Sequence, residues 1–243
     1  MRHLITACCI AFATPAMSDV TLVYQDAEGK PAYTLSVKGD MMRIDMNDDS
    51  HATLFNATRE EMIILQPDKR EYIVMDRPSV ERLQAQMRQA FQMMEQFGMD
   101  PAAMGLGKVR SEGVVVQTGE TRTVGGHRCN VMNYMVDGAL DTISCITAPG
   151  RVGISDEDWA TIHGMFEMMA KLASDMLPDG MMSADMPPMD GVLIESHGPN
   201  GEDRQLLSRI DTASLDAARF QVPSGWKRLS IEIPQMPGMP GRR

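Results

Sequence analysis

The sequence predicts an α+β protein, a curved antiparallel sheet of about ten short strands with two amphipathic helices available to cover it. Three observations predict this class. From Val20 to Asp76 apolar and polar residues alternate mostly at a period of two, interrupted by Gly, Asp and Pro turn signals. Two segments, 79–97 and 156–173, instead place apolar residues at helical spacing. Strand-like runs resume after each helical segment, and no internal repeat is present.

The chain opens on "MRHLITACCIAFATPAMSD", with Arg2, an apolar run from Leu4 to Ala13, and small residues around Ala16 and Ser18. That layout is expected to be a secretory signal peptide over residues 1–18, leaving Asp19 first, because the apolar run is too short to span a bilayer. "ITAC" at 5–8 lacks the preceding apolar stretch of a lipidation signal, so acylation of Cys8 is not expected. Residues 19–230 are then expected to form a single β-rich domain.

In "AYTLSVKGDMMRIDM", Gly39-Asp40 is a two-residue hairpin loop with Gly first. It sets Tyr33, Leu35 and Val37 opposite Met46, Ile44 and Met42, and Thr34, Ser36 and Lys38 opposite Asp45, Arg43 and Met41. The register dictated by the turn therefore also segregates polarity, which specifies it twice. "HATLFN" and "MIILQ" read as strands, and Pro67-Asp68-Lys69 turns the chain into "EYIVMD". Ile63, Ile64, Ile73 and Val74 make both faces of this pair apolar, so cover is expected on both sides.

Leu83, Met87, Ala90, Phe91, Met94 and Phe97 form the stripe of the first helix, and "GMDPAAMGLG" breaks it. The second helix, 156–173, has Ser155 or Asp156 as its cap and Trp159, Ile162, Phe166 and Met169 as its stripe. Residues 176–190 read as a Met- and Pro-rich loop, "GVLIESHG" and "RQLLSRID" as strands, "ARFQVPSGWKRL" as a closing turn and strand, and 231–243 as a disordered tail.

Cys129 and Cys145 flank the turn "VDG". A two-residue Asp137-Gly138 loop would put Cys129 opposite Ile146. A three-residue loop from Val136 to Gly138 would put Cys129 opposite Cys145. The second register closes a cross-strand disulfide, contributing roughly 3 kcal/mol in the loop-entropy account. Metal binding at "HRC" is not expected, since His51, His163 and His197 are not in ligand spacing with His127. A structural disulfide and a signal peptide both point to an oxidising compartment, periplasmic or secreted.

The segments "VKGDMMRIDM", "PDKREYIVMD", "TGETRTVGGHRCNVMNYMVDG" and "ARFQVPSGWKRL" together resemble a secreted bacterial family catalogued as a domain of unknown function, number 4412. The resemblance is one of ordering over most of residues 20–228. That family is similar in layout to periplasmic lipoprotein carriers, so the resemblance implies a half-open antiparallel β-barrel that holds acyl chains under helices. It implies no catalytic residues. The segment 176–190 departs from the family pattern in length and Met content.

With 33 acidic and 23 basic residues the net charge is −10, which excludes non-specific binding to nucleic acid or to anionic membranes by charge alone. No segment after the leader approaches the length of an integral membrane span, and a monomer is expected. No nucleophile elbow, zinc-protease helix, phosphate loop or dinucleotide fingerprint occurs, so neither an enzyme nor a cofactor is expected. His163 and Glu167, one turn apart, read as a solvated helix face. Arg43 is expected on a surface or rim.

Methionine is the unusual feature, with 24 residues against six Phe, four Tyr and two Trp. Flexible thioether side chains suit surfaces that accept variable apolar shapes. The expected function is a non-enzymatic binding or carrier module for an apolar small molecule or acyl chain. Its expected lining is Leu35, Ile44, Met46, Ile64, Val74, Met87, Phe91, Met94, Phe166 and Met169. The alternative is Cu(I) binding by Met176, Met181, Met182, Met186 and Met189, whose thioethers suit a soft metal.

Overall fold

The computed structural model describes residues 19–47, 51–96, 113–176 and 190–230. The strands are β1 (Val20–Gln25), β2 (Pro31–Lys38), β3 (Met41–Met46), β4 (Ala52–Asn56), β5 (Glu61–Gln66), β6 (Glu71–Met75), β7 (Gly113–Val124), β8 (His127–Val136), β9 (Ala139–Thr147), β10 (Val192–His197), β11 (Gln205–Asp211) and β12 (Lys227–Leu229). Two helices, α1 (Arg77–Gln96) and α2 (Asp156–Met176), complete the α+β fold. No helix among the described residues is long and apolar enough to cross a membrane.

All strands belong to one open sheet in the order β12-β6-β5-β4-β3-β2-β1-β11-β10-β9-β8-β7, antiparallel throughout except for β12 against β6. Twelve strands, not closed, replace the expected barrel of about ten. The reason lies at the edges. β6 and β7 follow one another in sequence but stand near opposite ends of the sheet, with α1 between them in the chain. The free edge of β6, where a closing strand would pair, is taken by β12.

The β2–β3 hairpin has the register its turn dictates, from Lys38 opposite Met41 to Tyr33 opposite Met46, with Gly39 at φ 58°. Both helices start on side-chain caps. Asp76 accepts from the Ser79 N–H at 2.9 Å. Ser155 accepts from the Asp158 N–H at 3.1 Å while its hydroxyl donates to the Asp158 carboxylate at 2.6 Å, a reciprocal cap. The α2 Thr161 hydroxyl donates to Gly39 O at 2.8 Å, fixing the helix to the β2–β3 turn.

Cys129 and Cys145 form the expected disulfide, with their Cα atoms 5.3 Å apart. The register is not the expected one. The loop is the two residues Asp137 and Gly138, both at positive φ, and a bulge at Asp141 shifts the pairing so that Cys145 faces Val131 and Asn130 faces Ile146. The bond therefore runs diagonally between same-face neighbours, a geometry that strand twist brings within disulfide reach.

Candidate functional site

Alternation along β2 to β6 gives this part of the sheet two faces. Leu35, Val37, Met42 and Phe55 lie on one, with Ile44 on the same side, and pack with Ile162 and Met165 of α2 in a cluster joined by Phe166, Met168 and Met169. On the other face, direct cross-strand pairs line up in rows. Lys38, Met41, Asn56 and Glu61 form the row at the turn end. The next row is Ser36, Arg43, Leu54, Ile63 and Val74, and the third is Thr34, Asp45, Ala52, Leu65 and Tyr72.

This second face is covered by the segment 212–226, a strap between β11 and β12. Its apolar side chains explain its course, because Val222 and Trp226 pack on Ala52, Leu54 and Leu65, and Phe220 is buried. Polar anchors hold it at both ends. The buried Asp19 carboxylate accepts from the Leu215 N–H at 2.5 Å, the Lys38 ammonium at 2.8 Å and the Ser214 hydroxyl at 3.4 Å. Burial works against this carboxylate, yet the Leu215, Lys38 and Ser214 donors outweigh it and hold its pKa below the ordinary value. Arg43 donates to Asp45 at 2.7 Å and to Arg219 O at 2.8 Å, and Arg219 closes the ring with Asp45 at 3.5 Å. Downstream, the Lys227 N–H donates to Arg70 O at 3.0 Å, and Arg228 lies 3.9 Å from Asp76.

Between strap and sheet lies a cleft of about 450 Å³, within the size range of small-molecule sites. Leu54 and Ile63 line it from the sheet, and Ala217, Phe220 and Val222 from the strap. Lys38, Met41, Asn56, Arg59 and Glu61 stand at its turn end. Its polarity is thus graded, with Lys38, Asn56, Arg59 and Glu61 at the turn end and Leu54 and Ile63, of the next row, inside.

The expected ligand-lining residues distribute differently. Leu35, Ile44, Phe166 and Met169 come together, but as part of the packed helix-side cluster. Met46 is exposed at 38% on the same face. Ile64 borders a separate hollow of about 420 Å³ with His51, Gln66, Asp68 and Lys69. Val74 is on the strap side, because the four-residue turn 67–70 pairs Ile63 with Val74 and Ile64 with Ile73. Met87 is half-buried on α1. The side chains of Phe91, Met94 and Met176, the whole of Met181, Met182, Met186 and Met189, and the leader 1–18 lie outside the described residues.

Arg43 is a strap anchor, a more specific role than the rim position expected of it. His163 sits 3.5 Å from Glu167 with both side chains substantially exposed. Among the described residues, no three His, Cys, Asp or Glu side chains group as a metal site. The cleft was missed in the sequence, although two signals pointed to it: the strands apolar on both faces, and the "FQVPSGW" ending, read as a closing turn, whose Phe220, Val222 and Trp226 are the strap's apolar contacts.

No family model and no curated protein matches the chain. Among solved structures, an uncharacterized conserved protein from Thermus thermophilus is similar at a TM-score of 0.45 and 6% identity, covering 87% of this chain and 90% of that one. The structure of PNGF-II is similar at a TM-score of 0.43 and 10% identity, covering 87% of this chain and 30% of that one. Likenesses at this level carry no argument about function.

Proposed function

We propose that this protein is an exported, non-enzymatic binding or carrier module for an apolar, lipid-like molecule, acting as a monomer in the periplasm or outside the cell. The observation that carries the reading is the strap-side cleft of about 450 Å³, with Ile63, Ala217 and Val222 along its accessible apolar part. Burying hydrocarbon there is favourable by roughly 0.8 kcal/mol per CH₂. The Cys129–Cys145 disulfide supports the oxidising compartment. The ligand seat is moved from the helix-covered face to the strap-covered one, because Leu35, Ile44, Phe166 and Met169 belong to one packed cluster, whereas the strap-side cleft is bordered by the half-buried Ile63 and Val222.

Adjacent isoleucines test the assignment, since Ile63 faces the strap and Ile64 the helix side. Titration with the neutral fluorophore N-phenyl-1-naphthylamine is expected to saturate with wild type. Ile63→Glu is expected to weaken binding by about tenfold or more, and Ile64→Glu to leave it near wild type, each variant first shown folded by circular dichroism. A wild type that binds no probe sinks the function. Loss of binding in Ile64→Glu but not in Ile63→Glu would return the ligand to the helix side.

A further inference from the structure

We infer that the strap-side cleft takes a single-chain amphiphile with a zwitterionic head, its anionic group on Arg59, its cationic group on Glu61, and its chain along Ile63, Ala217 and Val222. This rests on the reading of the cleft as a lipid-type site and adds the class of ligand. The register sets the direction. Asn56 and Glu61 are opposed in the row at the turn end, with Arg59 in the turn between them, whereas Leu54 and Ile63 form the next row inward. A head at the turns and a chain beside the strap is the orientation that keeps polar groups with polar ones.

The charges set the head. Lys38 is committed to Asp19 at 2.8 Å, and that carboxylate also holds Leu215 of the strap. Asn56 is committed as well, accepting from the Arg59 N–H at 2.7 Å and donating to the Met41 sulfur at 2.9 Å. Arg59 is exposed and Glu61 half-buried, and neither side chain is in an ion pair among the described residues. The mouth therefore offers one uncommitted cation and one uncommitted anion. A purely anionic head would meet Arg59 but be repelled by Glu61, and an uncharged head would leave both charges without an ionic partner while partly desolvating Glu61. A head carrying both signs satisfies both.

The test displaces N-phenyl-1-naphthylamine from the full-length protein with three dodecanoyl amphiphiles below their micelle concentrations: lysophosphatidylethanolamine, dodecanoate and monododecanoylglycerol. Direct calorimetric titration with the lysophospholipid provides a probe-independent readout. The zwitterion is expected to displace at about tenfold lower concentration than either competitor, the size of one charge-assisted hydrogen bond in binding. Glu61→Gln is expected to erase its advantage over dodecanoate, and Arg59→Gln its advantage over the uncharged glyceride. Equal potency of the three, a preference for the anion, or no calorimetric binding of the lysophospholipid overturns the inference. The first two of these leave the proposed apolar binding standing, whereas failure of wild type to bind the fluorophore strikes that proposal instead.

Discussion

Strands β3 to β5 present apolar side chains on both faces, and the chain covers the two faces by different means. On one, α2 supplies Ile162, Met165, Phe166 and Met169 from a single stripe, which meets Leu35, Val37 and Met42 in a continuous cluster. On the other, an irregular segment reaches Ala52, Leu54 and Leu65 with Val222 and Trp226, and Asp19, Arg43 and Asp45 hold it in place. A helix projects side chains toward a sheet every three or four residues and can fill the interface. An extended strap has fewer inward side chains per length, so a cleft remains beside it. Packing is thus tightest where α2 meets β2 and β3, and the cleft stands where the strap replaces a helix.

The largest expected effects are on the packed side. Met42 is fully buried, and Met42→Ala is expected to lower stability by about 2–5 kcal/mol in urea unfolding. Cys129→Ser, in the same cluster, is expected to cost a similar 2–5 kcal/mol or so. Ile63→Ala, bordering the cleft, is expected to cost about 1 kcal/mol, because the site is already partly open. Equal losses for Met42→Ala and Ile63→Ala would remove the distinction between a filled and an open face.

Arg43→Ala acts on the strap alone. It removes the donor to Arg219 O and leaves Asp45 with the longer Arg219 contact, at an expected cost of about 1–2 kcal/mol. Hydrogen exchange is expected to quicken at the amides of 215–221 while the α2 amides keep wild-type protection. Uniform acceleration across both regions would mean that the strap and the packed side open as one unit.

Much of this division could be read in the sequence, and the part that could not is non-local. Gly39-Asp40 fixed the β2–β3 register because turn geometry and polarity agree there. The cysteine pairing was legible, but its register was not, since the bulge at Asp141 has no signature in the turn residues. Ile63, Ile64, Ile73 and Val74 announced cover on both faces, yet which residues shared a face depended on the pairing across the 67–70 turn. The strap's role depends on Phe220, Val222 and Trp226 reaching strands far earlier in the chain, and periodicity carries no information at that range.

Acid separates the two sides next. The Asp19 pKa is depressed below its ordinary value of 3.8, so its contribution is present above that value and lost as pH falls through the lower folded-state value. Below about pH 4 the Leu215 end of the strap is expected to loosen first, seen as increased exchange at Leu215 while the α2 amides stay protected. Asp19→Asn retains an acceptor for the Leu215 N–H and is expected to flatten this pH dependence. An unchanged acid response in that variant would place the titrating group elsewhere.

The smallest expected effect belongs to the outward face of α2, and it guards against reading chemistry into a solvated pair. His163 and Glu167 are 3.5 Å apart with side chains 40% and 70% exposed, whereas Met165 between them in sequence is buried against the sheet. Water screens the pair, so His163→Gln is expected to change stability by less than about 0.5 kcal/mol. Binding of N-phenyl-1-naphthylamine is expected to be unaltered, because α2 covers the face opposite the cleft. A several-fold change in probe affinity in His163→Gln, with the fold intact, would show that the helix side takes part in binding and that the division between a packed face and an open one is drawn in the wrong place.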